Sequence, residues 1–350
     1  MVRRAYRVTL GMVNIPPRVL SIIGLSALLA IGAAGCGGSD DDVVVYSGRN
    51  EELIGPLLER FEKETGIGLK VNYGDSAEAA KLLEEGGRTK ADVFIAQDAG
   101  ALGSVATAGL LSPLAPAQLD KVSPRFRDAQ GRWVGLSGRS RVIAWSTDRL
   151  KAEDVPGTVF DLTDPRWKGR VCMPPSNASF QAFISSMRLA AGEDRARQWL
   201  DQMKGNDPVF RGNNIECLDS IINGETDLAL VNHYYLYNRR RELGSVPVEN
   251  KYLAGEDPGA LVNVAGAGIV GSTDKRADAE RLIDFLLSPE AQQYFRDETA
   301  EYPLADGVTP LPELPPLDSL QGPDIDLNRL GTGDFLRQTQ QLLTDAGYLG

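Results

Sequence analysis

The chain has 350 residues and a formal net charge of −11 at neutral pH, from 37 basic and 48 acidic residues. An acidic surface of this kind repels nucleic acid and anionic lipid, and no segment concentrates lysine or arginine into a basic groove, which argues against nucleic-acid binding. The length is sufficient for two domains, each with its own hydrophobic core.

The first 42 residues are predicted to be a targeting segment and a linker. Four arginines accompany an apolar stretch that is too short and too rich in glycine for a membrane span. The stretch ends in small residues before Cys36, which resembles a bacterial lipoprotein signal, although Ala33 stands where that signal usually has leucine. We therefore expect removal of residues 1–35, a lipid on Cys36 and a solvated tether over residues 36–42, with an ordinary secretion signal as the alternative.

Strand and helix patterns alternate in the next segment of the chain. The predicted strands are residues 43–47, 69–74 and 91–97, and the predicted helices are residues 51–66 and 77–87. Such alternation indicates a parallel sheet of α/β type, in which ligands bind at the carboxyl ends of the strands. The loops after Ser47 and Gln97 are therefore candidate ligand loops.

Two long β-rich stretches, residues 133–146 and 259–270, flank a second α/β series. We therefore expect an α/β fold of two lobes joined by two crossover strands, with a cleft between the lobes. The first lobe is expected to comprise residues 43–141 and 263–310, and the second lobe residues 142–262 and 311–350.

The segment LVNHYYLYNRR, residues 230–240, holds the only histidine of the chain, His233, and three of its ten tyrosines. An amphipathic element with aromatic anchors is the simplest interpretation of the adjacent Tyr234 and Tyr235. The alternative is a hard metal ion held by phenolates. Neighbouring residues do not share a face of a regular strand or helix, so both side chains reach one ion only where the backbone turns, as at a strand end.

Six segments, in this order, resemble the ferric-ion-binding proteins of bacterial ABC importers, which belong to the periplasmic solute-binding superfamily. They are VVVYSGRNEELIGPLLERFEKETGI, ADVFIAQDAGAL, GLSGRSRVIAW, NGETDLALVNHYY, DPGALVN and AEYPL, and they extend over nearly all of residues 43–310. The resemblance implies a two-lobed periplasmic-binding-protein fold that closes around Fe³⁺. It also implies an exported monomer, bound to the membrane only through a lipid anchor, that delivers iron to an ABC permease and its ATPase.

In that family two adjacent tyrosines after such a strand bind the metal, and they match Tyr234 and Tyr235. The chemistry is consistent with this role, because Fe³⁺ prefers anionic oxygen and deprotonates a phenol that it binds.

The chain departs from the family at the other two ligand positions. The family's histidine falls at Asn50 and its glutamate at Gln97, and both replacements offer only neutral carbonyl oxygens. Glu51, Glu52 and Asp98 are the neighbouring carboxylates, of which Glu51 and Asp98 are the candidate ligands. Each is equally well explained as a residue of a first helical turn, stabilised by the helix dipole.

The family also binds a small synergistic anion, phosphate or carbonate, beside the metal. Its anion loop matches PSNASF at residues 175–180, which opens a predicted helix where free N–H groups favour an anion. The implied anion contacts are Asn177, Ala178, Ser179, Asn214 and Asn232. Taken singly, each asparagine among them is equally well explained as a helix-cap or turn residue.

Cys172 and Cys217 are the two cysteines besides Cys36, and no CxxC motif is present. If the anion contacts implied by the resemblance meet at one anion, the elements that carry these two cysteines are neighbours. The alternatives are then a disulfide, formed in an oxidising compartment, and two free thiols.

Two competing classes of function remain. An enzyme with a nucleophile would have to use His233, and no nucleophile elbow, P-loop or dinucleotide fingerprint accompanies it, so we expect no catalysis. A binding protein of the same fold with another cargo, such as thiamine, a phosphonate or another small anion, is the nearer alternative. It would use residues 175–180 and Arg139, with the tyrosines in the pocket wall.

Overall fold

The structure, a computed structural model, describes residues 41–74 and 77–349. The predicted signal segment and the lipidation at Cys36 lie outside these residues. Within the described ranges, no helix is long and apolar enough to cross a membrane.

Strands and helices alternate as the sequence predicts. The strands are β1 (Val43–Ser47), β2 (Leu69–Tyr73), β3 (Val93–Ala96), β4 (Leu111–Ser112), β5 (Val134–Ser146), β6 (Val171–Met173), β7 (Val209–Phe210), β8 (Leu228–Asn232), β9 (Val248–Tyr252), β10 (Val262–Val270) and β11 (Tyr302–Pro303). The helices are α1 (Glu51–Thr65), α2 (Ala77–Glu85), α3 (Ala99–Thr107), α4 (Pro116–Leu119), α5 (Ala178–Ala191), α6 (Glu193–Gly205), α7 (Asn214–Ile222), α8 (Tyr234–Leu243), α9 (Arg276–Leu286), α10 (Pro289–Asp297) and α11 (Gly333–Asp345).

One strand, β5, takes part in both halves of the sheet. Its first part pairs with β10 and β11, and β10 continues through β3 to the parallel strands β1 and β2. From Arg141 onward, β5 pairs instead with β8 and β9, and β8 continues to the parallel strands β6 and β7. The two long β-rich stretches therefore pair with each other, as predicted, and the partners of β5 change between Ser140 and Arg141.

Each half of the sheet has its own apolar core. Side chains around β1, β3 and β10 form the first core, while clusters on the two faces of the β5–β8–β6 sheet form the second. The central strands β3, β8 and β10 are buried on both faces, as expected for sheets covered by helices.

The tail of the chain divides between the two cores, which corrects the expectation that residues 311–350 join the second lobe as one piece. Leu314, Leu320 and Leu330 pack in the first core, whereas α11 and Tyr348 after it pack in the second. Residues 327–331 cross α3 so closely that a side chain on Gly103 would lie 2.3 Å from the carbonyl oxygen of Asn328. The absence of a Cβ on α3 is what admits the tail there.

Candidate functional site

A cleft of about 610 Å³ lies between the two halves of the sheet. Its first wall comes from loops after β1 and β3 and from the middle of β5, and its second wall from the starts of α5, α7 and α8. The polar residues that line it are Asn50, Glu52, Gln97, Asp98, Arg139 and Asn263 on the first side, and Ser176, Asn177, Ser179, Asn232, Tyr234, Tyr235, Asn238, Arg239 and Glu242 on the second.

Tyr234 and Tyr235 are the first two residues of α8, close to the carboxyl end of β8. Strand β8 ends at Asn232 and α8 begins at Tyr234, with a helical backbone conformation already at His233. The two rings stack and both line the cleft. Burial, and next the neighbouring Tyr235, raise the pKa of Tyr234 well above 10, so its phenol stays protonated at neutral pH until a cation displaces the proton.

His233 points away from the cleft and is fully buried. Its Nδ1 accepts a hydrogen bond from the N–H of Ser140 at 3.1 Å, so the proton sits on Nε2, which donates to the carbonyl of Ala300 at 3.0 Å. Burial lowers the pKa of His233 to about 4, which keeps the ring neutral at physiological pH. The imidazole therefore ties the start of α8 to the crossover strand and does not act as a cleft ligand.

Three of the four residues predicted as metal ligands on the first wall line the cleft. Asn50, Gln97 and Asp98 line it, and Asp98 also caps α3 by accepting from the N–H of Ala101 at 3.0 Å. The Oε1 atom of Gln97 is buried without a hydrogen-bond partner.

Glu51 is not among the residues that line the cleft, which corrects its prediction as a neighbouring ligand; Glu52 lines the cleft in its place. The charge of Glu51 acts elsewhere: after burial, it is the largest cause that raises the pKa of Tyr73 to about 12.

Four of the five predicted anion contacts line the second wall, and Asn214 lies behind them, bonded to Asn177 and Ser179. Asn177 caps the 14-residue helix α5, and its Oδ1 accepts from the backbone N–H and the hydroxyl of Ser179 and from the side-chain amide of Asn214. The Oδ1 of Asn214 is buried and has no partner. Ala178 opens α5 in the same wall, and Asn232 closes the group at the end of β8.

A disulfide joins Cys172 in β6 to Cys217 in α7, with an S–S distance of 2.05 Å. This outcome confirms the disulfide alternative. The bond connects β6, the strand that leads into the anion loop, with α7, the helix that carries Asn214. It therefore holds the anion loop and α7 in a fixed relative position.

The sequence analysis missed Arg141 altogether. Its guanidinium is buried and donates to the hydroxyl of Ser179 at 3.1 Å and to the side-chain oxygen of Asn232 at 3.4 Å. Burial lowers the pKa of Arg141 to about 9, so it is still a cation at neutral pH. Two arginines in an otherwise apolar or small-residue strand, RSR within residues 139–141, were the available signal.

A second buried charge network lies under the first wall. Glu301 accepts from Arg49 at 2.9 Å and lies 3.9 Å from Arg139, whose guanidinium also donates to the carbonyl of Gln97. Burial alone would raise the pKa of Glu301, but the charges of Arg49 and Arg139 outweigh it and lower the pKa. Arg139 was considered in the sequence only as a contact for an organic cargo.

No group of three or more His, Cys, Asp or Glu side chains in the described ranges is arranged to hold a metal ion.

Comparison with known proteins identifies the family of this chain. The family model for bacterial extracellular solute-binding proteins matches residues 88–326. The Fe(3+)-binding periplasmic protein of Serratia marcescens is 32% identical over 334 residues, which is 94% of this chain and 97% of that protein.

Two solved structures superpose on most of this chain. Iron-bound HitA from Pseudomonas aeruginosa superposes with a TM-score of 0.81 at 31% identity, covering 87% of this chain and 99% of that one. The Trichodesmium protein IdiA (FutA), in complex with iron and citrate ligands, superposes with a TM-score of 0.74 at 26% identity, covering 88% and 100%. These matches confirm the two-lobed α/β periplasmic-binding-protein fold.

Proposed function

Because the chain belongs to the bacterial extracellular solute-binding proteins, we propose that it captures ferric iron in the cleft and delivers it to the permease and ATPase of an ABC importer. The observation that carries this proposal is the tyrosine pair at the turn from β8 into α8, with both side chains in the cleft. The protein binds its cargo and performs no chemistry on it.

The ligand chemistry supports iron over softer metals. Fe³⁺ is small and hard and prefers anionic oxygen, and its charge deprotonates phenols that would otherwise stay neutral. Tyr234 and Tyr235 supply these oxygens from one wall. Asp98 supplies a carboxylate and Asn50 and Gln97 supply amide oxygens from the other.

Binding draws the two walls together. We propose a first lobe of residues 43–140 and 262–330 and a second lobe of residues 141–261 and 333–349, since the partners of β5 change after Ser140 and the tail divides between the cores. Iron that contacts both lobes binds the closed state more tightly and so favours closure, whereas a ligand of equal affinity for both states would shift nothing.

A small anion beside the metal, phosphate or carbonate, would occupy the pocket of Asn177, Ala178, Ser179 and Asn214. The start of α5 offers the positive end of the helix dipole, and Arg141 adds a full charge behind Ser179.

We propose further that the protein is an exported monomer held at the extracytoplasmic membrane face by a lipid on Cys36. Metabolic labelling with a radioactive fatty acid should mark the protein, and Cys36→Ser should abolish the label. A labelled Cys36→Ser variant would contradict the anchor without affecting the iron proposal.

Iron binding is tested by adding ferric citrate to iron-free protein, removing free iron by gel filtration and measuring metal content and visible absorption. We expect bound iron with a visible iron–phenolate charge-transfer band. Colourless, iron-free protein would contradict the proposal. It would favour the alternative of an organic anion such as a phosphonate, or of thiamine, for which Arg139 and residues 176–179 line the same cleft.

A further inference from the structure

Helix α8 has two sides with different surroundings. Its residues that line the cleft are Tyr234, Tyr235, Asn238, Arg239 and Glu242. His233, Tyr237 and Arg241 follow one another at intervals of four residues, which places their side chains together on another side of the helix. The helix that presents the tyrosine pair to the cleft therefore has a second side available for other contacts.

The second side of α8 donates hydrogen bonds to backbone carbonyls of the proposed first lobe. The Oη of Tyr237 donates to the carbonyl of Glu313 at 3.3 Å, and the side chain packs against the first core. A guanidinium nitrogen of Arg241 donates to the carbonyls of Asp297 and Glu298, both at 2.9 Å. Because α8 belongs to the proposed second lobe, these bonds join the two lobes, and we call them the α8 contact.

Arg241 lies at the carboxyl end of α10, where carbonyls lack partners within the helix. The helix dipole gives this end a partial negative charge, so a guanidinium there is favourable. Helix α10 is in turn bonded to α1, because the Oη of Tyr294 donates to the carbonyl of Leu53 at 3.3 Å. Leu53 lines the cleft on the side opposite to the tyrosine pair. The α8 contact therefore connects the helix of the tyrosine pair with the opposite wall.

His233 marks the hinge end of the same side of α8. Its ring bonds to the N–H of Ser140 and to the carbonyl of Ala300, and the partners of β5 change directly after Ser140. Arg241 lies two turns farther along, about 12 Å at the rise of an α-helix. A bond at that distance from a hinge opposes opening with a longer lever arm than a bond at the hinge itself. Tyr237 and Arg241 are therefore the residues of this side that restrain the lobes.

Resting on the proposed function, we propose that Tyr237 and Arg241 are positioning residues for iron: the α8 contact limits how far the lobes open in iron-free protein and so raises the affinity for the metal. The apparent dissociation constant equals the intrinsic constant divided by the fraction of molecules in the binding-competent arrangement. A contact that keeps the tyrosine pair near the opposite wall increases this fraction, although neither of its side chains lines the cleft.

The first test measures the separation of the lobes without iron. Spin labels are attached at Lys63→Cys in α1 and Asp201→Cys in α6, two exposed positions in different proposed lobes, and their distance is measured by double electron–electron resonance. Cys36→Ser removes the third cysteine from the labelled protein, and the disulfide between Cys172 and Cys217 leaves these two unlabelled.

We expect Tyr237→Phe combined with Arg241→Met to extend the distance distribution of iron-free protein toward longer distances. Arg240→Met is the matched control, since its arginine lies on the same helix but bonds to the carbonyl of Val248 and the side chain of Glu249, within the proposed second lobe. The control should reproduce the parent distribution. A double variant that matches the parent, or that shifts to shorter distances, would overturn the inference, as would equal broadening by the control.

The second test measures iron affinity by competition with citrate. Tyr237→Phe combined with Arg241→Met should weaken iron binding by about threefold to tenfold, the scale expected for the loss of exposed hydrogen bonds that favour one arrangement. Arg240→Met should bind iron as the parent does. The visible iron–phenolate band should keep its wavelength in the double variant, because Tyr234 and Tyr235 still bind the metal.

Two results of the affinity test would overturn the inference. Affinity equal to or tighter than that of the parent would mean that the α8 contact does not favour the binding-competent arrangement. A lost or shifted band would mean that Tyr237 and Arg241 act on the tyrosine pair itself and not on the lobes. If the parent protein retains no iron, the proposed function fails, whereas the distances in iron-free protein still decide whether the α8 contact holds the lobes together.

Discussion

The rings of Tyr234 and Tyr235 stack with their centroids 4.2 Å apart and their planes inclined by 29°. Both residues belong to the first turn of α8, which begins directly after β8 at the edge of the cleft, and both rings line the cleft. The arrangement presents two phenol oxygens from a single wall of the cleft, and the predictions below depend on it.

Replacing either tyrosine with phenylalanine keeps the ring and removes the oxygen. We expect Tyr234→Phe and Tyr235→Phe each to lose most of the visible absorption band. Each should also weaken iron binding by more than about 100-fold, because loss of a residue that only supports a metal ligand already weakens metal binding by up to about that factor. The free energy of unfolding should change by about 1 kcal/mol or less. Tyr348→Phe, which alters a tyrosine that bonds to Leu200 in the second core, is the control and should retain the band. Unchanged iron binding in both cleft variants would place the tyrosines in the wall of an organic-ligand pocket.

Iron binding should release protons. The pKa of Tyr234 lies well above 10 because the residue is buried, so at neutral pH the metal must displace the phenolic proton. Protons therefore compete with iron, and affinity should fall as the pH is lowered. A pH-stat measurement on weakly buffered protein should show fewer protons released by Tyr234→Phe than by the parent. Equal release would mean that this phenol does not ionise on binding.

The two carboxylates predicted as ligands, Asp98 and Glu51, can be compared directly, because Asp98 lines the cleft and Glu51 does not. Asp98→Asn should weaken iron binding if the carboxylate is a ligand, with little change in stability, since asparagine caps a helix about as well as aspartate. Glu51→Gln should leave iron binding unchanged. Affinities are measured by competition with citrate. A larger effect of Glu51→Gln than of Asp98→Asn would contradict the orientation of α1.

His233 should control stability in acid and not iron coordination. Its pKa is about 4 in the folded protein, below the ordinary value of 6.5, so the unfolded chain binds the additional proton between these pH values. The stabilisation is complete above about pH 6.5 and is lost as the pH falls toward 4, by about 3 kcal/mol at most. His233→Gln should flatten this part of the stability curve of iron-free protein, measured by urea unfolding. An unchanged curve would show that other groups cause the acid sensitivity.

The Cys172–Cys217 disulfide should stabilise the second lobe. Replacing both cysteines with serine is expected to lower the free energy of unfolding by about 2–4 kcal/mol and to loosen the anion pocket, because the bond joins β6 to α7. Thiol counting under denaturing, non-reducing conditions should find neither cysteine free in exported protein. Two reactive thiols there would contradict the bond.

The sequence by itself determined the local elements and the tyrosine pair. Alternating strand and helix patterns specify an α/β sheet, and a buried strand followed at once by HYY places both rings at its carboxyl end. These features depend on neighbours within a few residues, so the pattern of apolar side chains is enough to predict them.

Only the tertiary structure decided which side chains meet. The rotation of α1 brings Glu52 to the cleft and turns Glu51 away, and the close passage of residues 327–331 over α3 assigns that part of the tail to the first core. Arg49 meets Glu301 across 252 positions of sequence. Contacts of this kind follow from how packed elements are oriented, which the period of a helix or strand does not specify, and they set the charge of the cleft.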